Sequence, residues 1–470
     1  MNALAAAALA AALSASARAQ ARFDPPFFFG AAVAPAQTED GLDDIWKAWA
    51  DAGRAAAYKN QVEPQRRLDA WSRPEVDMDW AARAGAQVYR TGVDWGRVEP
   101  ERGRFDAAAI ARYRKILRMI RARRMKVMLT LMHHSVPKWV QAQGGWLNPR
   151  TEDDYLDFAE RMMTDLGPEV DSWITFNEPA VFAPLAYADG LWPPGGRAGA
   201  LSLAWLGPWR GSVVRSIDRM AEANNRLYDW AHARDPRVRM GAANNMAFYT
   251  GKTLLGRLEA RAPDALLNWR FPERTRGKAD FFGINYYGAE WIDGGRLVIE
   301  PDEEYSEAGR AVYPRGLYVL LKEISRRFPG LPIVVTENGI ADSTDVLRPA
   351  YLIEHLQAIA RARAEGAPVA GYLWWTISDN MEWADGYCPK FGLLSVDRAH
   401  GLRRTPRPSF FLFRDIARSH EVTAAQRSAA WSAVAAAAGR PRPFCRAADA
   451  QTGLDAPISR PFSSTDWRFR

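Results

Sequence analysis

Residues 108–133 read AAIARYRKILRMIRARRMKVMLTLMH, and the spacing of their apolar residues changes once along the stretch. In the first part, up to residue 124, apolar side chains recur at steps of three and four, which predicts an amphipathic helix. These side chains are Ile110, Tyr113, Ile116, Leu117 and Ile120. The second part, KVMLTLMH at 126–133, is a short apolar run typical of a strand. A helix that leads directly into a strand indicates a crossover connection, which parallel strands require.

Similar short runs, rich in β-branched or aromatic residues, occur throughout the chain and alternate with helix-like segments. They are FFFGAAVAP (27–35), VYRTGVDW (88–95), SWITFNE (172–178), VRMGAANNM (238–246), FFGINYYG (281–288), PIVVTENG (332–339) and GYLWWTISD (371–379). With KVMLTLMH they make eight strands, which predicts a single (β/α)8 TIM barrel of the α/β class. One such barrel with insertions accounts for a length of 470 residues, and no repeat of 20 to 50 residues indicates a solenoid.

The two ends of the chain differ from the predicted barrel, which we place at residues 22–420. Residues 1–21 form an Ala-rich apolar run that ends in A-x-A patterns, which predicts a secretory signal, with an uncleaved anchor or a misassigned start as alternatives. We therefore expect an exported protein, periplasmic or secreted, or a membrane-associated one if the segment is retained. Residues 421–470 are predicted to be a partly irregular extension, and their seven Arg against four acidic residues would favour peripheral contact with an anionic membrane.

Composition argues against several classes of function. The net charge is +7, but the arginines are spread along the chain, so no nucleic-acid partner is expected. Cys388 and Cys445 are the only cysteines, which excludes a disulfide framework; a single bridge between them stays open but is not indicated. The adjacent His133 and His134 have no obvious co-ligands, and HExxH is absent, so neither a metal site nor a cofactor is expected.

Two strand ends carry a glutamate. Glu178 lies in TFNEP (175–179) on strand four, and Glu337 lies in VTENG (335–339) on strand seven. Barrel active sites lie at the C-terminal ends of the strands, so the two side chains should face each other across the barrel mouth. Such a pair suits glycosidic bond cleavage. The alternative is that each glutamate caps the following helix or pairs with an arginine such as Arg90, but the flanking aromatic residues favour a functional site.

Between about residues 27 and 419 the chain resembles glycoside hydrolase family 1, the retaining β-glucosidases and β-galactosidases. The motifs that carry this resemblance, besides TFNEP and TENG, are QTE (37–39), YR…DWGRVEP (89–100), YPRGLY (313–318) and WWTISDNMEWADGY…FGL (374–393). A five-residue motif can arise by chance, whereas an ordered set across eight strands is specific.

The resemblance implies catalytic roles for named residues. Glu178 would be the general acid/base, with a raised pKa, and Glu337 the nucleophile. Asn177 would hydrogen-bond the sugar 2-hydroxyl. Tyr287 and Arg90 match positions that touch the nucleophile and would keep Glu337 ionised.

Other positions match the family's substrate-binding shell for a β-linked glucoside or galactoside. The hydroxyl-binding residues would be Gln37, His133, Glu382 and Trp383, with Trp375 as the aromatic floor beneath the sugar, and Asn285 and Phe391 completing the shell. The Glu382–Trp383 pair favours an unmodified sugar over a 6-phosphorylated one. His134, which stands where the family usually has an aromatic residue, is interpreted as a packing residue.

Several departures from the common family pattern resemble a plant branch, linked to freezing tolerance, that transfers galactosyl groups between galactolipids. They include VYRTGVDWGR (88–97), HHS (133–135) and the tail from residue 421, although the segment Trp46 to Trp71 is shorter than in that branch. Three functions remain open. The leading one is a retaining exo-β-glycosidase, the second is a β-galactosyl transglycosidase acting on glycolipids, and the third is a catalytically inactive sugar-binding barrel, which the presence of both glutamates disfavours.

Overall fold

Eight parallel strands close into a barrel in the computed structural model, which describes residues 19–198, 205–206, 209–447 and 453–470. The barrel strands are β1 (Phe28–Ala32), β2 (Val88–Gly92), β3 (Lys126–Met132), β4 (Ser172–Asn177), β5 (Met240–Asn245), β6 (Phe282–Tyr286), β7 (Ile333–Asn338) and β8 (Val369–Trp375). Each strand pairs with the next along the chain, and β8 pairs with β1, for example Gly371 with Phe28. The predicted TIM barrel is confirmed, with all eight strands where the sequence pattern indicated them.

Helices cover the outside of the barrel and connect successive strands. The main ones are α1 (Glu75–Arg83), α2 (Ala107–Ala122), α3 (Arg150–Leu166), α4 (Ser212–Arg234), α5 (Arg270–Arg274), α6 (Pro314–Arg327), α7 (Leu347–Ala364) and α8 (Pro408–Ser419). Further helical segments lie in the loops at Pro35–Thr38, Ile45–Asp51, Pro64–Arg66, Trp95–Val98, Lys138–Ala142, Gly145–Leu147, Gly167–Glu169, Pro179–Tyr187, Leu254–Glu259, Arg261–Pro263, Asp264–Trp269, Trp383–Asp385 and Arg398–His400. No helix among the described residues is long and apolar enough to cross a bilayer.

Helix α2 shows how local sequence sets an element of this fold. The Asp106 carboxylate caps its N-terminus by accepting hydrogen bonds from the backbone N–H groups of Ala108 and Ala109, at 2.8 and 3.0 Å. The apolar residues predicted from their spacing are all buried on one face of the helix. That face packs on β3, so the stretch 108–133 forms a crossover helix and a barrel strand as predicted.

Two apolar layers form the core. The larger layer lies between the strands and the surrounding helices and contains, for example, Val127, Leu129 and Tyr372. The smaller layer fills the barrel interior with side chains such as Val88, Met128 and Ile174, which come from neighbouring strands. The interior is therefore packed. The polar residues that follow the strands lie above this packed interior, at the C-terminal end of the barrel.

Small sheets extend from the loops of the barrel. A three-stranded sheet of Phe248–Thr250, Ala289–Asp293 and Arg296–Val298 follows β5 and β6. Two-stranded sheets pair Leu394–Asp397 with Arg403–Pro406 and Trp205–Leu206 with Trp209–Arg210.

The N-terminal segment meets the C-terminal extension at the edge of the barrel. Ala19–Arg22 forms a strand antiparallel to Glu421–Thr423, and Ala21 is buried. Of the predicted signal sequence at 1–21, residues 1–18 lie outside the described residues, and 19–21 belong to this strand.

The C-terminal extension packs against the barrel body over most of its length. A helix, α9 (Ala424–Ala437), begins with a capping box of Thr423 and Gln426. Arg427 donates two hydrogen bonds of 2.7 Å to the carboxylate of Glu354, a buried residue on α7. Farther along, strands Pro441–Phe444 and Ile458–Pro461 pair antiparallel.

A disulfide joins Cys388 to Cys445, with 5.8 Å between the Cα atoms. The sequence did not indicate this bridge, because its cysteines are 57 residues apart and lie in two segments that only the tertiary fold brings together. Cys388 follows the loop that carries Glu382 and Trp383, and Cys445 belongs to the extension. The Arg446 guanidinium donates a 2.5 Å hydrogen bond to Asp385, so the extension holds this loop by a covalent bond and an ion pair.

Candidate active site

The two strand-end glutamates lie at the same end of the barrel, on β4 and β7 as predicted. Glu178 directly follows β4, and Glu337 is the penultimate residue of β7. Their side chains are 10% and 3% exposed, so both carboxyl groups are largely removed from water. A carboxyl group is costly to bury unless hydrogen-bond partners or a function compensate for the lost hydration.

A chain of polar side chains connects the two carboxyl groups. Arg90, at 0% side-chain exposure, donates from Nη1 to Glu337 Oε1 at 2.5 Å and from Nη2 to Asn177 Oδ1 at 2.5 Å. Asn285 Nδ2 donates to the same Asn177 oxygen at 3.0 Å and to Glu178 Oε1 at 2.7 Å. The guanidinium and two amides therefore fix both carboxyl groups relative to each other.

The alternative roles considered for the two glutamates were capping the following helix and pairing with an arginine. Glu337 does pair with Arg90, but its second oxygen accepts a 2.6 Å hydrogen bond from the Tyr287 hydroxyl, so it also faces the mouth aromatics. Glu178 is the N-cap of Pro179–Tyr187, yet its side chain makes no capping hydrogen bond. Its backbone is in the left-handed region, with φ of 48°, a conformation that non-glycine residues rarely adopt and that clusters at functional sites.

The predicted sugar-binding residues surround this pair. Gln37 Nε2 donates to Met381 O at 2.8 Å and lies 3.3 Å from Glu382 Oε2. The His133 ring lies 5.8 Å from the Trp375 ring and 5.7 Å from the Trp383 ring, measured between centroids. Phe391 packs on Tyr287, with 5.8 Å between the ring centroids, which places it beside the nucleophile candidate's hydrogen-bond partner.

Two buried polar atoms of this shell lack a hydrogen-bond partner among the described residues. They are Gln37 Oε1 and His133 Nδ1. Buried polar atoms in proteins are nearly always paired, so these two atoms mark positions where a polyhydroxylated ligand would supply the missing hydrogen bonds. The shell also carries large aromatic faces, which suit the apolar side of a pyranose ring.

The protonation of His133 follows from its neighbours. Asn177 uses its Oδ1 for two donors, so its Nδ2 amide faces His133 Nε2 at 2.9 Å and must donate. His133 therefore accepts at Nε2 and carries its proton at Nδ1, the atom without a partner. Burial, together with His134 and Arg90, lowers the pKa of His133 well below its ordinary value, so the ring is neutral. It can donate to a sugar hydroxyl without relaying a proton.

Two residues outside the predicted set contact Glu178. His134, interpreted from the sequence as a packing residue, lies with Nε2 3.4 Å from Glu178 Oε2, and Asn245 Nδ2 donates to Glu178 Oε1 at 3.2 Å. Asn245 ends β5, so its place at a strand end was a usable signal. For His134 no local signal exists, because the contact joins residues 44 positions apart.

The pKa values of the two carboxyl groups differ in the direction opposite to our expectation. Burial and the charge on Glu178 together raise the pKa of Glu337 to about 7, although Arg90 and Tyr287 lower it. Burial also raises the pKa of Glu178, but contacts with His134, Asn285 and Asn245 outweigh burial and lower it overall. The expectation overlooked how many donors surround Glu178.

Because the two groups interact, their protons belong to the pair. Below about pH 7 the pair holds one proton, since that is where Glu337 titrates with Glu178 ionised. Acid catalysis by Glu178 requires this proton on Glu178 and a negative charge on Glu337. Arg90 and Tyr287 both donate to Glu337, so they favour that distribution.

We expect the value of kcat/KM for an aryl β-glycoside to fall as pH rises above about 7, because the pair then loses its single proton. Tyr287→Phe removes a donor that stabilises ionised Glu337, so the pKa of Glu337, and with it the alkaline limb of the pH profile, should move upwards by about one pH unit. The measurement is kcat/KM against pH for both proteins. Tyr286→Phe is the matched control, because the Tyr286 hydroxyl donates instead to Tyr313 O. An unmoved alkaline limb in Tyr287→Phe would contradict the assignment.

Comparison with known proteins fits this geometry. The sequence profile of glycosyl hydrolase family 1 matches residues 19–234 and 271–422, which include both glutamates and seven of the eight barrel strands. The chain belongs to glycosyl hydrolase family 1. It is thus an enzyme of the glycoside hydrolase and transglycosylase type, built on a TIM barrel.

Two plant members of the family are similar over most of the chain. The galactolipid galactosyltransferase SFR2, chloroplastic, of Arabidopsis thaliana is 39% identical, over 94% of this chain and 82% of the relative. The beta-glucosidase-like SFR2, chloroplastic, of Oryza sativa subsp. japonica is 41% identical, over 88% of this chain and 67% of the relative. The resemblance to a galactolipid-linked branch is confirmed by these matches.

Solved structures of family 1 members share the fold. The beta-glycosidase from Pyrococcus horikoshii superposes with a TM-score of 0.76 at 27% identity, covering 86% of this chain and 96% of that chain. The matched length covers nearly the whole of that enzyme, whereas about a seventh of this chain lies outside the superposition.

Proposed function

We propose that this family 1 enzyme is a retaining exo-β-glycosidase that acts on β-glucosides or β-galactosides with free hydroxyls. The observation that carries the proposal is the linked pair of buried carboxyl groups at the barrel mouth, Glu178 and Glu337, within a shell of aromatic and hydrogen-bonding side chains. The unpartnered atoms of Gln37 and His133 support a polyhydroxylated ligand.

The first step of this mechanism breaks the glycosidic bond. The Glu337 carboxylate attacks the anomeric carbon, the bond to the leaving oxygen breaks, and Glu178 gives its proton to that oxygen. Arg90 and Tyr287 orient the attacking carboxylate. The product is a glycosyl ester of Glu337, and Glu178 is left as a carboxylate.

The second step releases the sugar. Glu178 takes a proton from a hydroxyl, the oxygen of that hydroxyl attacks the anomeric carbon, and the ester bond to Glu337 breaks. If the hydroxyl belongs to water, the reaction is hydrolysis. If it belongs to a sugar, the glycosyl group is transferred, so the two outcomes differ only in the acceptor.

A second candidate function is transfer of β-galactosyl groups between glycolipids. The observation that favours it is the 39% identity to a protein named as a galactolipid galactosyltransferase, which extends over 94% of this chain. This candidate would bring the enzyme into peripheral contact with a membrane. Export through the N-terminal segment remains a proposal, and the two plant relatives are named as chloroplastic proteins.

Product analysis separates the two candidates. The purified enzyme is incubated with p-nitrophenyl β-galactoside, p-nitrophenyl β-glucoside and a monogalactosyl diacylglycerol in detergent. We expect turnover of at least one aryl glycoside with retention of anomeric configuration, and an inverted product would refute the mechanism. Oligogalactosyl lipids would support the transferase candidate, whereas free galactose as the sole product from the lipid would exclude it.

A further inference from the structure

One group of leucines on the rim of the barrel is exposed to solvent. Leu254, Leu255 and Leu258 on the helix Leu254–Glu259 are 74%, 64% and 47% exposed, and Leu297 on the neighbouring strand is 49% exposed. Among the described residues seven large apolar side chains are exposed, and four of them lie here. Single exposed apolar residues are ordinary, but a cluster of this kind marks an interaction surface. We call these four residues the leucine face.

The helix that carries the leucine face is held firmly to the protein. At Gly256 an added Cβ would come within 2.5 Å of Ile292 O, so the helix backbone packs directly against the strand Ala289–Asp293. Thr253 caps the helix, and the Glu259 carboxylate accepts a hydrogen bond from Gly295 N at 3.0 Å. This packing uses the glycine side of the helix, which leaves the leucine side facing outwards.

The leucine face lies at the same end of the barrel as the catalytic pair. The strands beneath it, Phe248–Thr250 and Ala289–Asp293, directly follow β5 and β6, and Asn245 at the end of β5 donates to Glu178. A surface that rested on the leucine face would therefore lie beside the barrel mouth.

Charge around the leucine face identifies the kind of surface it fits. Lys252, Arg257, Arg261 and Arg296 are exposed around the leucines, against the acidic Glu259 and Asp293. Lys252 also pairs with Glu303 at 2.8 Å. Exposed leucines bordered by an excess of cations are typical of segments that lie in a membrane interface with anionic lipids. A stable protein interface, by contrast, uses about 20 to 30 residues on each side, far more than this group supplies.

We propose that the leucine face inserts into the headgroup region of a lipid bilayer that carries anionic lipids, and so presents the barrel mouth to membrane-borne glycolipids. The docking stands on the exposed leucines and their basic border. Its role in delivering a glycolipid rests on the second candidate function.

Vesicle binding tests the docking without any glycolipid. The full-length protein is mixed with vesicles of phosphatidylcholine, or of phosphatidylcholine with 30% phosphatidylglycerol, and the bound fraction is measured by flotation. We expect binding to the anionic vesicles that weakens with salt. The triple variant Leu254→Ser, Leu255→Ser, Leu258→Ser should bind at least about tenfold more weakly, because each leucine loses its apolar burial. The variant Arg257→Gln, Arg261→Gln, Arg296→Gln should lose most of the preference for anionic vesicles.

Phe411→Ser and Ile458→Ser are the matched controls, because both residues are exposed apolar side chains outside the leucine face. They should bind vesicles like the unmodified protein, and all variants should hydrolyse a soluble aryl glycoside at the unmodified rate, which shows that they are folded.

Vesicle binding that is absent, or unchanged in the leucine triple variant, would overturn the proposal. A dimer that the triple variant converts to a monomer, without vesicle binding, would assign the face to a second copy and overturn it too. If the unmodified protein does not turn over any aryl glycoside, the proposed function is refuted, but the result of the vesicle experiment still stands.

Discussion

Glu337→Gly is expected to lower the turnover of an aryl β-glycoside by about ten-thousandfold or more, because no other group can form the covalent intermediate. Glu178→Gly should cause a comparable loss for substrates with poor leaving groups. Its effect should be small on the first step with dinitrophenyl glycosides, since such leaving groups depart without a proton. The measurement is kcat and kcat/KM for a series of aryl glycosides.

Rescue by azide identifies which glutamate has which role. In Glu337→Gly, azide can occupy the place of the nucleophile and attack from that face, which gives an α-glycosyl azide. In Glu178→Gly, azide attacks the glycosyl ester from the opposite face and gives the β-glycosyl azide. The reverse pattern of products would exchange the two roles. Glu354→Gln is a control for the loss of a buried carboxyl group, because Glu354 pairs with Arg427 of the C-terminal extension and not with a residue of the barrel mouth.

Arg90→Met is expected to lower the free energy of unfolding by about 3 to 5 kcal/mol at pH 8, because it leaves a buried carboxylate without its cation. Arg90 and Glu337 have side chains that are 0% and 3% exposed, so water cannot replace the lost partner. Without Arg90 the pKa of Glu337 should rise above about 7, since Arg90 lowers it in the intact site.

The pH dependence of this variant has a definite sign. A carboxyl group whose pKa is raised in the folded state binds more protons when folded, so stability decreases as pH rises between the unfolded and folded pKa values. Arg90→Met should therefore be more stable at pH 6 than at pH 8. Chemical denaturation at both pH values measures the difference, and equal stability at both would contradict the reasoning.

A second buried ion pair provides the control for Arg90. Arg270 and Asp218 pair at 2.9 Å on the outer helices, with side chains that are 11% and 9% exposed. Arg270→Met should also lower stability, but it should leave the pH profile of kcat/KM unchanged. Only Arg90→Met should change both.

Much of the candidate active site was predictable because the barrel places strand ends together. Glu178 and Glu337 could be found because each follows a short apolar run, and eight such runs imply a closed barrel whose C-terminal ends meet. Gln37, Asn285 and Tyr287 were assigned through the resemblance to the family, whose motifs lie at the ends of other strands of the same barrel. Each of these predictions depends on residues close together in the sequence.

The pKa order of the two glutamates was predicted wrongly. The expectation considered the charge on Arg90 and the role each residue should have, but the net shift is set by every donor and by burial. Glu178 receives contacts from β3, β5 and β6 through His134, Asn245 and Asn285, which the sequence alone does not count.

The sequence by itself determined the barrel, the pair of strand-end glutamates and the family, because strand and helix periods and strand-end motifs are local signals that a barrel assembles in a fixed way. Tertiary structure alone decided that the chain of Arg90, Asn177 and Asn285 joins the carboxyl groups, that Cys388 and Cys445 bond, and that the leucine face lies beside the mouth. These features depend on contacts between distant segments. Such contacts follow from packing and hydrogen-bond geometry, which no local sequence pattern specifies.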